Sequence, residues 1–262
     1  MGWFWFDLLR HRRRLILDNL AIAFPDWPAQ RRRATGRRSL QNLCYAATEA
    51  FVLPFWTKAN LSRHVTFHGV EFRTRALTAG KGALLLVLHL GNVEALMAAC
   101  ALNDLPAHVI AKEFRSRFFN DLVYGTRESF GTHFIDPHGS RTAFEVLRAL
   151  RHNECVAFVL DQYMRPEFGV ETTFFGRKTG TADGRALFAL KSRAPVIPAY
   201  SYHDEQDRLH VCFGEEIALV DDPDRDHAIQ ATTQGFNHRI EDIIRQHPQQ
   251  WMWVHRRWKP FA

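Results

Sequence analysis

A histidine and a glutamate five residues apart, His89 and Glu94, stand where an apolar run gives way to a helical one. Imidazole titrates near neutral pH, and a carboxylate on one of its nitrogens fixes the tautomer and leaves the other free to take a proton from a hydroxyl. Such a pair is the base and orienter of a nucleophilic triad whose nucleophile is supplied by a substrate. General-base assistance of this kind is typically worth ~10²–10⁴ in rate. A histidine closing an apolar run is also a common structural residue, and spacing alone does not separate the two readings. Between the pair, Gly91 and Asn92 make a sharp turn. Asn92 is a natural N-cap, and Glu94 falls in the first helical turn, where exposed N–H groups favour a carboxylate. The backbone N–H groups of Leu90 to Val93 are placed to meet a developing oxyanion.

More polar groups close the neighbouring apolar runs. Asp161 and Gln162 follow one, and Lys112 with Glu113 follows another. If the strands are parallel, these ends share one sheet edge with His89, the edge at which open α/β sheets bind ligands. A carboxylate buried at Asp161 wants a cation, and Arg127 or Arg165 is expected to supply it. That pair either pins a loop or contacts substrate. Lys112, Arg115 and Arg117 form either a phosphate site or a solvated helix face. Other chemistries lack their parts: there is no GxSxG elbow, P-loop, HExxH or strand-following GxGxxG. Cys100, mid-helix on an apolar segment, is a poor nucleophile.

The elements that must position these groups alternate. Strands are predicted over Val65–Val70, Ala83–His89, His108–Lys112, His133–Asp136, Cys155–Leu160, Val196–Tyr202 and Arg208–Gly214. Helices are predicted over Arg14–Phe24, Arg31–Leu53, 93–103, Arg117–Ser129, Ser140–Arg151, Asp183–Arg193 and Asp226–Gln246, with the stretch around Gly169 and Gly176 a loop. Ala83 to Leu88 carries no charge, as in a strand buried on both faces. The pattern predicts an α/β fold, a mixed, mostly parallel central sheet flanked by helices. The expected organisation is an N-terminal helical, membrane-associating segment at 1–60 and an α/β domain at 61–262.

The chain has a net charge of +6, with arginines crowded near its start, including Arg10, Arg12, Arg13, Arg14, Arg31, Arg32, Arg33, Arg37 and Arg38. Anionic partners are implied, and arginine suits phosphate because its planar fork binds two oxygens. The four cysteines are scattered singly, without zinc or disulfide spacing. No run approaches the ~18 apolar residues of a membrane span. Trp3, Phe4, Trp5, Phe6, Leu8 and Leu9, followed at once by arginines, read as a monotopic surface anchor or as a helix docked on the core.

These stretches together resemble a known family. His89-Leu-Gly-Asn92 continuing to Glu94 is similar to the H-x4-(D/E) signature of glycerolipid-type acyltransferases. The wider pattern resembles the late acyltransferases of lipid A biosynthesis (the LpxL/HtrB type). The segment from Arg13 through Asn19-Leu20 to Phe24-Pro25 is similar to the family's N-terminal segment, and Arg127 falls where the family has an arginine. Asp161-Gln162, Gly169-Val170, Phe174-Phe-Gly176, Thr181, Gly184 and Pro195-Val-Ile-Pro198 resemble a third block. Trp251-Met-Trp-Val-His-Arg-Arg-Trp-Lys259 resembles the closing motif.

The resemblance implies a glycerol-3-phosphate-acyltransferase-like fold. His89 would be the general base and Glu94 its orienting carboxylate, while Arg127 and Asp161 would shape the site or bind a headgroup. Gly91, Asn92, Lys112, Arg115, Gln162 and Arg165 complete the expected site. The implied activity is transfer of a fatty acyl group from acyl-carrier protein or acyl-CoA to a hydroxyl of a lipid or glycolipid, with a lipid A-type acceptor favoured. No bound cofactor, metal or nucleic acid is expected. The implied location is the cytoplasmic face of the bacterial inner membrane, held peripherally on anionic lipid. Members typically begin with a hydrophobic membrane helix, and this chain begins with a short aromatic stub, so surface binding is the expectation. The rival readings are a thioesterase and a non-catalytic basic protein that binds lipid or nucleic acid.

Overall fold

The computed structural model describes residues 4–111, 131–137 and 139–261. Lys112, Glu113, Arg115, Arg117, Arg127 and the helix expected over Arg117–Ser129 lie outside the described residues.

The strands are β1 (Val65–His68), β2 (Ala83–Val87), β3 (Ala107–Ile110), β4 (His133–Ile135), β5 (Cys155–Val159), β6 (Gly169–Phe174), β7 (Arg177–Ala182), β8 (Val196–His203) and β9 (Leu209–Phe213). Seven of them form one sheet in the order β1-β9-β8-β2-β5-β3-β4. The five from β8 to β4 run parallel, and β9 and β1 run the other way. This is the mixed, mostly parallel sheet that the sequence predicts. The helices are α1 (Arg13–Ala23), α2 (Ala29–Glu49), α3 (Leu61–His64), α4 (Val70–Thr78), α5 (Val93–Leu102), α6 (Thr142–Arg151), α7 (Gly184–Ser192) and α8 (Arg225–Gln246).

β2 lies at the centre, and its uncharged run is covered on both sides. Leu84, Leu86 and Leu88 join a cluster with Ile16 and Leu20 of α1, Leu40 of α2 and Phe236 of α8. Leu85 and Val87 face Leu96, Met97 and Ala98 of α5. A strand with two apolar faces needs such a two-sided cover, which is why it sits mid-sheet.

The C-terminal tail continues this centre. Met252 donates its N–H to the carbonyl of His89 at 3.0 Å and Gly91 donates to that of Gln250 at 3.0 Å, making a bridge between Leu90 and Trp251. The N-terminal helices clasp the tail. Asn19, buried in α1, donates to the carbonyls of Trp253 and His255 at 2.8 Å each. Ser39 of α2 donates to the Trp251 carbonyl at 2.7 Å, and Asn42 to that of Gln249 at 2.8 Å. Arg257, wholly buried beneath Phe174, donates to the Gly180 carbonyl and the Thr181 hydroxyl, each at 2.6 Å.

Several expectations need correction. The stretch with Gly169 and Gly176 is not a loop but the hairpin β6–β7, closed by Phe175 and Gly176 with φ of 49° and 71°. Two residues at positive φ between paired strands make a type I′ turn, and Phe in place of Asn or Asp hid it. Helix α4, unmarked in the sequence, starts after Gly69, whose φ is 66°. The aromatic stub is not all surface: Phe6 is completely buried, whereas Phe4, Leu8 and Leu9 are exposed. The arginines are partly committed as well. Arg33 and Arg37 hold Asp7, Arg31 lies over Trp27, and Arg12 bonds the Val254 carbonyl.

Candidate active site

Val87 of β2 pairs in register with Val159 of β5. Two residues beyond each, at the carboxyl edge of the sheet, stand His89 and Asp161. Oδ1 of Asp161 lies 2.8 Å from Nδ1 of His89, and Oδ2 accepts the His89 backbone N–H at 2.8 Å. Trp251 donates its indole N–H to the same Oδ2 at 2.6 Å. An almost fully buried carboxylate thus receives two N–H bonds besides the imidazole. Burial pushes Asp161 up, but the His89 charge and hydrogen bond, the Trp251 bond and the His89 N–H outweigh it and hold the carboxyl at about 2. Burial pulls the His89 imidazole down, yet the Asp161 charge and bond prevail and leave it above its ordinary value. Ionised Asp161 fixes the proton on Nδ1, so the lone pair of Nε2 faces outward. The Gln162 amide stands 3.4 Å from that Nε2.

The turn after His89 is held from three sides. Gly91 adopts φ of 64°, and a Cβ there would meet the Ser201 carbonyl oxygen at 2.2 Å, so only glycine fits. Asn92 caps α5 as expected, its Oδ1 accepting the N–H groups of Glu94 at 3.0 Å and Ala95 at 3.2 Å. Its Nδ2 donates to Oε2 of buried Glu49 at 2.7 Å, and Oε1 of Glu49 lies 3.2 Å from Nε2 of His203. Of the four N–H groups expected to serve an oxyanion, that of Leu90 goes to the Leu88 carbonyl and that of Gly91 to Gln250.

Two cavities meet at His89 and Glu94. One, about 360 Å³, runs along α2 and beyond it, lined by Leu43, Ala46, Ala47, Ala50, Phe51, Val93 and Met252. The other, about 450 Å³, is more polar and is lined by Gln162, Tyr163, Met164 and Arg185 as well as Val109 and Val159. A base between an apolar and a polar cavity can join a chain held in one to a headgroup held in the other.

The profile of a family described as bacterial lipid A biosynthesis acyltransferase matches residues 1–260. The chain belongs to that family. A phosphatidylinositol mannoside acyltransferase of Mycobacterium tuberculosis (strain CDC 1551 / Oshkosh) is 26% identical over 215 residues, 80% of this chain and 66% of that protein. The chain therefore spans just under two thirds of that relative's length. The Mycolicibacterium smegmatis protein of the same name is 25% identical over 85% of this chain and 71% of its own. The lipid A biosynthesis lauroyltransferase of Escherichia coli (strain K12) is 21% identical over 96% of this chain and 80% of its own.

In this acyltransferase-family chain, the expected site residues are distributed as follows. His89, Gly91, Asn92, Glu94, Asp161 and Gln162 come together at the sheet edge. Asp161, rather than the expected Glu94, occupies Nδ1 of His89. Glu94 sits in the first turn of α5 and lines both cavities. Of the two cations expected for Asp161, Arg127 lies outside the described residues, and Arg165 is not the partner: it stands 3.7 Å from Glu167 on the surface, while Asp161 receives N–H groups of His89 and Trp251. Trp251 and Arg185 were not foreseen in these roles. Trp251 lies in the stretch that resembles the family's closing motif, but nothing in the sequence ties its indole to Asp161. Arg185 was one more cation at a helix start, and only the sheet brings it to the cleft.

Proposed function

We propose that this chain is an O-acyltransferase that moves a fatty acyl group from an acyl thioester, on acyl-carrier protein or CoA, to a hydroxyl of a lipid or glycolipid. The observation that carries the reading is the Asp161–His89 dyad with Nε2 directed to the junction of an apolar and a polar cavity. The acceptor hydroxyl displaces Gln162 from Nε2, loses its proton to His89 and attacks the thioester carbonyl. Asp161 stabilises the imidazolium formed. The N–H groups of Asn92 and Val93, at the α5 N-terminus, and the Gln162 amide receive the oxyanion. Collapse expels the thiolate, to which His89 returns the proton. Every step draws on side chains and backbone alone, without a metal or bound organic cofactor. The acyl chain lies in the cavity along α2, whose alanines leave room for methylenes.

Names of the relatives support a phosphorylated glycolipid as acceptor. A surface position on the cytoplasmic face of the inner membrane fits the exposed Phe51, which lines the apolar cavity, and the exposed Val52 and Phe55 that follow it in the chain. No helix among the described residues is long and apolar enough to cross a membrane.

The test is transfer from radiolabelled acyl-carrier protein, and separately acyl-CoA, into a total lipid extract, comparing wild type with His89→Ala. A labelled lipid made only by wild type is the expected result and identifies donor and acceptor. Label released as free acid regardless of acceptor would make the chain a thioesterase. No His89-dependent turnover with either donor would leave a binding protein.

A further inference from the structure

The mechanism above has no task for Arg185, a cation on the first turn of α7 that lines the polar cavity together with His89. Half-buried, it donates from one terminal nitrogen to the Val159 carbonyl at the end of β5, while its buried Nε has no hydrogen-bond partner among the described residues. Burial pulls the guanidinium down to about 9, and the carboxylate whose charge opposes this is Asp161. That carboxylate is already committed to His89 and Trp251. A cation desolvated at a cost, anchored by one nitrogen and by the Phe158 ring 5.3 Å from it, and lacking a dedicated counter-ion among the described residues, is built to receive an anion.

The division of the site says which anion. The apolar cavity takes the acyl chain, so the polar one takes the headgroup that brings the hydroxyl to Nε2. We propose that Arg185 binds a phosphate or phosphodiester carried by the acceptor close to its reacting hydroxyl, and so selects phosphorylated headgroups over neutral ones. An arginine fork matches two phosphate oxygens, whereas an ammonium meets them as a point charge. The thioester donor also carries phosphate, but its pantetheine arm holds that group far from the carbonyl under attack. Arg185 shares its cavity with the base itself, so the acceptor is the nearer source.

This inference rests on the acyltransferase reading, and one assay separates the two. The full chain, Arg185→Gln and Arg185→Lys are compared using an acyl thioester donor and two acceptors, an acylated glucosamine disaccharide bisphosphate and the same lipid after phosphatase treatment. The expected result is that Arg185→Gln raises the acceptor KM ~10-fold or more for the phosphorylated lipid relative to the neutral one. Arg185→Lys, which keeps the charge without the fork, falls between. Should the glutamine variant not fold, the same selective rise in the lysine variant, scored against its melting temperature, carries the test. Equal effects on both acceptors would overturn the proposal, and a rise confined to the donor KM would move the phosphate to the donor and overturn it too. His89-dependent transfer by wild type upholds the acyltransferase reading whatever Arg185 does; its absence with both lipids sinks both.

Discussion

At Asp161 three N–H donors converge on one buried carboxylate, and the consequence is a base tuned upward. His89 must be neutral to accept a proton, so kcat/KM for acyl transfer should rise with pH through an apparent pKa above the ordinary imidazole value of ~6.5. Asp161→Asn removes the charge that outweighs burial. The rising limb should then move to lower pH while the plateau falls by ~10²–10⁴. A pH–rate profile of both proteins checks this, and an unmoved limb would mean that Asp161 does not set the base. The linkage runs the same way for folding. A carboxyl held at about 2 contributes stability that is present above its unfolded pKa and lost as pH falls toward 2. His89 was legible in the sequence because it closes a buried strand. Asp161 was legible as a residue of the same sheet edge but not as the partner of His89, since spacing marks Glu94 whereas contact comes from the register of two parallel strands, Val87 against Val159. Both strands were visible as apolar runs; their adjacency was not.

Elements fix the turn that carries the base. Gly91→Ala places a methyl against the Ser201 carbonyl and forces an L-residue to positive φ, so it should lower both melting temperature and activity. Asn92→Ala removes the α5 cap, worth ~1 kcal/mol in ordinary helices. It should cost more here, because buried Glu49 loses a donor at the same stroke. Urea unfolding of both variants measures these losses, and a cap effect no larger than an exposed one would remove Glu49 from the argument. Helix α2 makes a separate prediction. Ala47 is exposed and lines the apolar cavity, so Ala47→Trp should fold normally yet reject long acyl donors before short ones. A series of thioesters of increasing length tests it. The elements best read from sequence were those with one strong period or an uncharged run. The β6–β7 hairpin failed because its strands carry no apolar run and its turn is Phe-Gly rather than Asn-Gly or Asp-Gly.

On the scale of the whole molecule, both ends of the chain converge on the site. The tail supplies Trp251 to Asp161 and pairs beside His89, and α1 and α2 hold that tail through Asn19, Ser39 and Asn42. The resemblance of the Asn19-Leu20 segment and of the Trp251–Lys259 motif to one family thus has one physical cause, since each packs on the other. The same helix α2 floors the apolar cavity and leads into Phe51, Val52 and Phe55, which are more than half or about half exposed at 56%, 50% and 74%. Exposed apolar side chains grouped in one stretch are costly in water and favourable in the headgroup region of a bilayer. Burying one Phe or Val is worth ~1.5–3 kcal/mol, or ~10–100-fold in binding. Phe55→Asp combined with Val52→Asp should leave the melting temperature intact, because neither side chain is in the core. The double variant should lose sedimentation with anionic vesicles and should transfer poorly to acceptor embedded in them. Transfer to the same acceptor in detergent micelles should survive far better. If the variant still binds vesicles as wild type does, this face does not meet the membrane, and the exposed Phe4, Leu8 and Leu9 become the surface to substitute next.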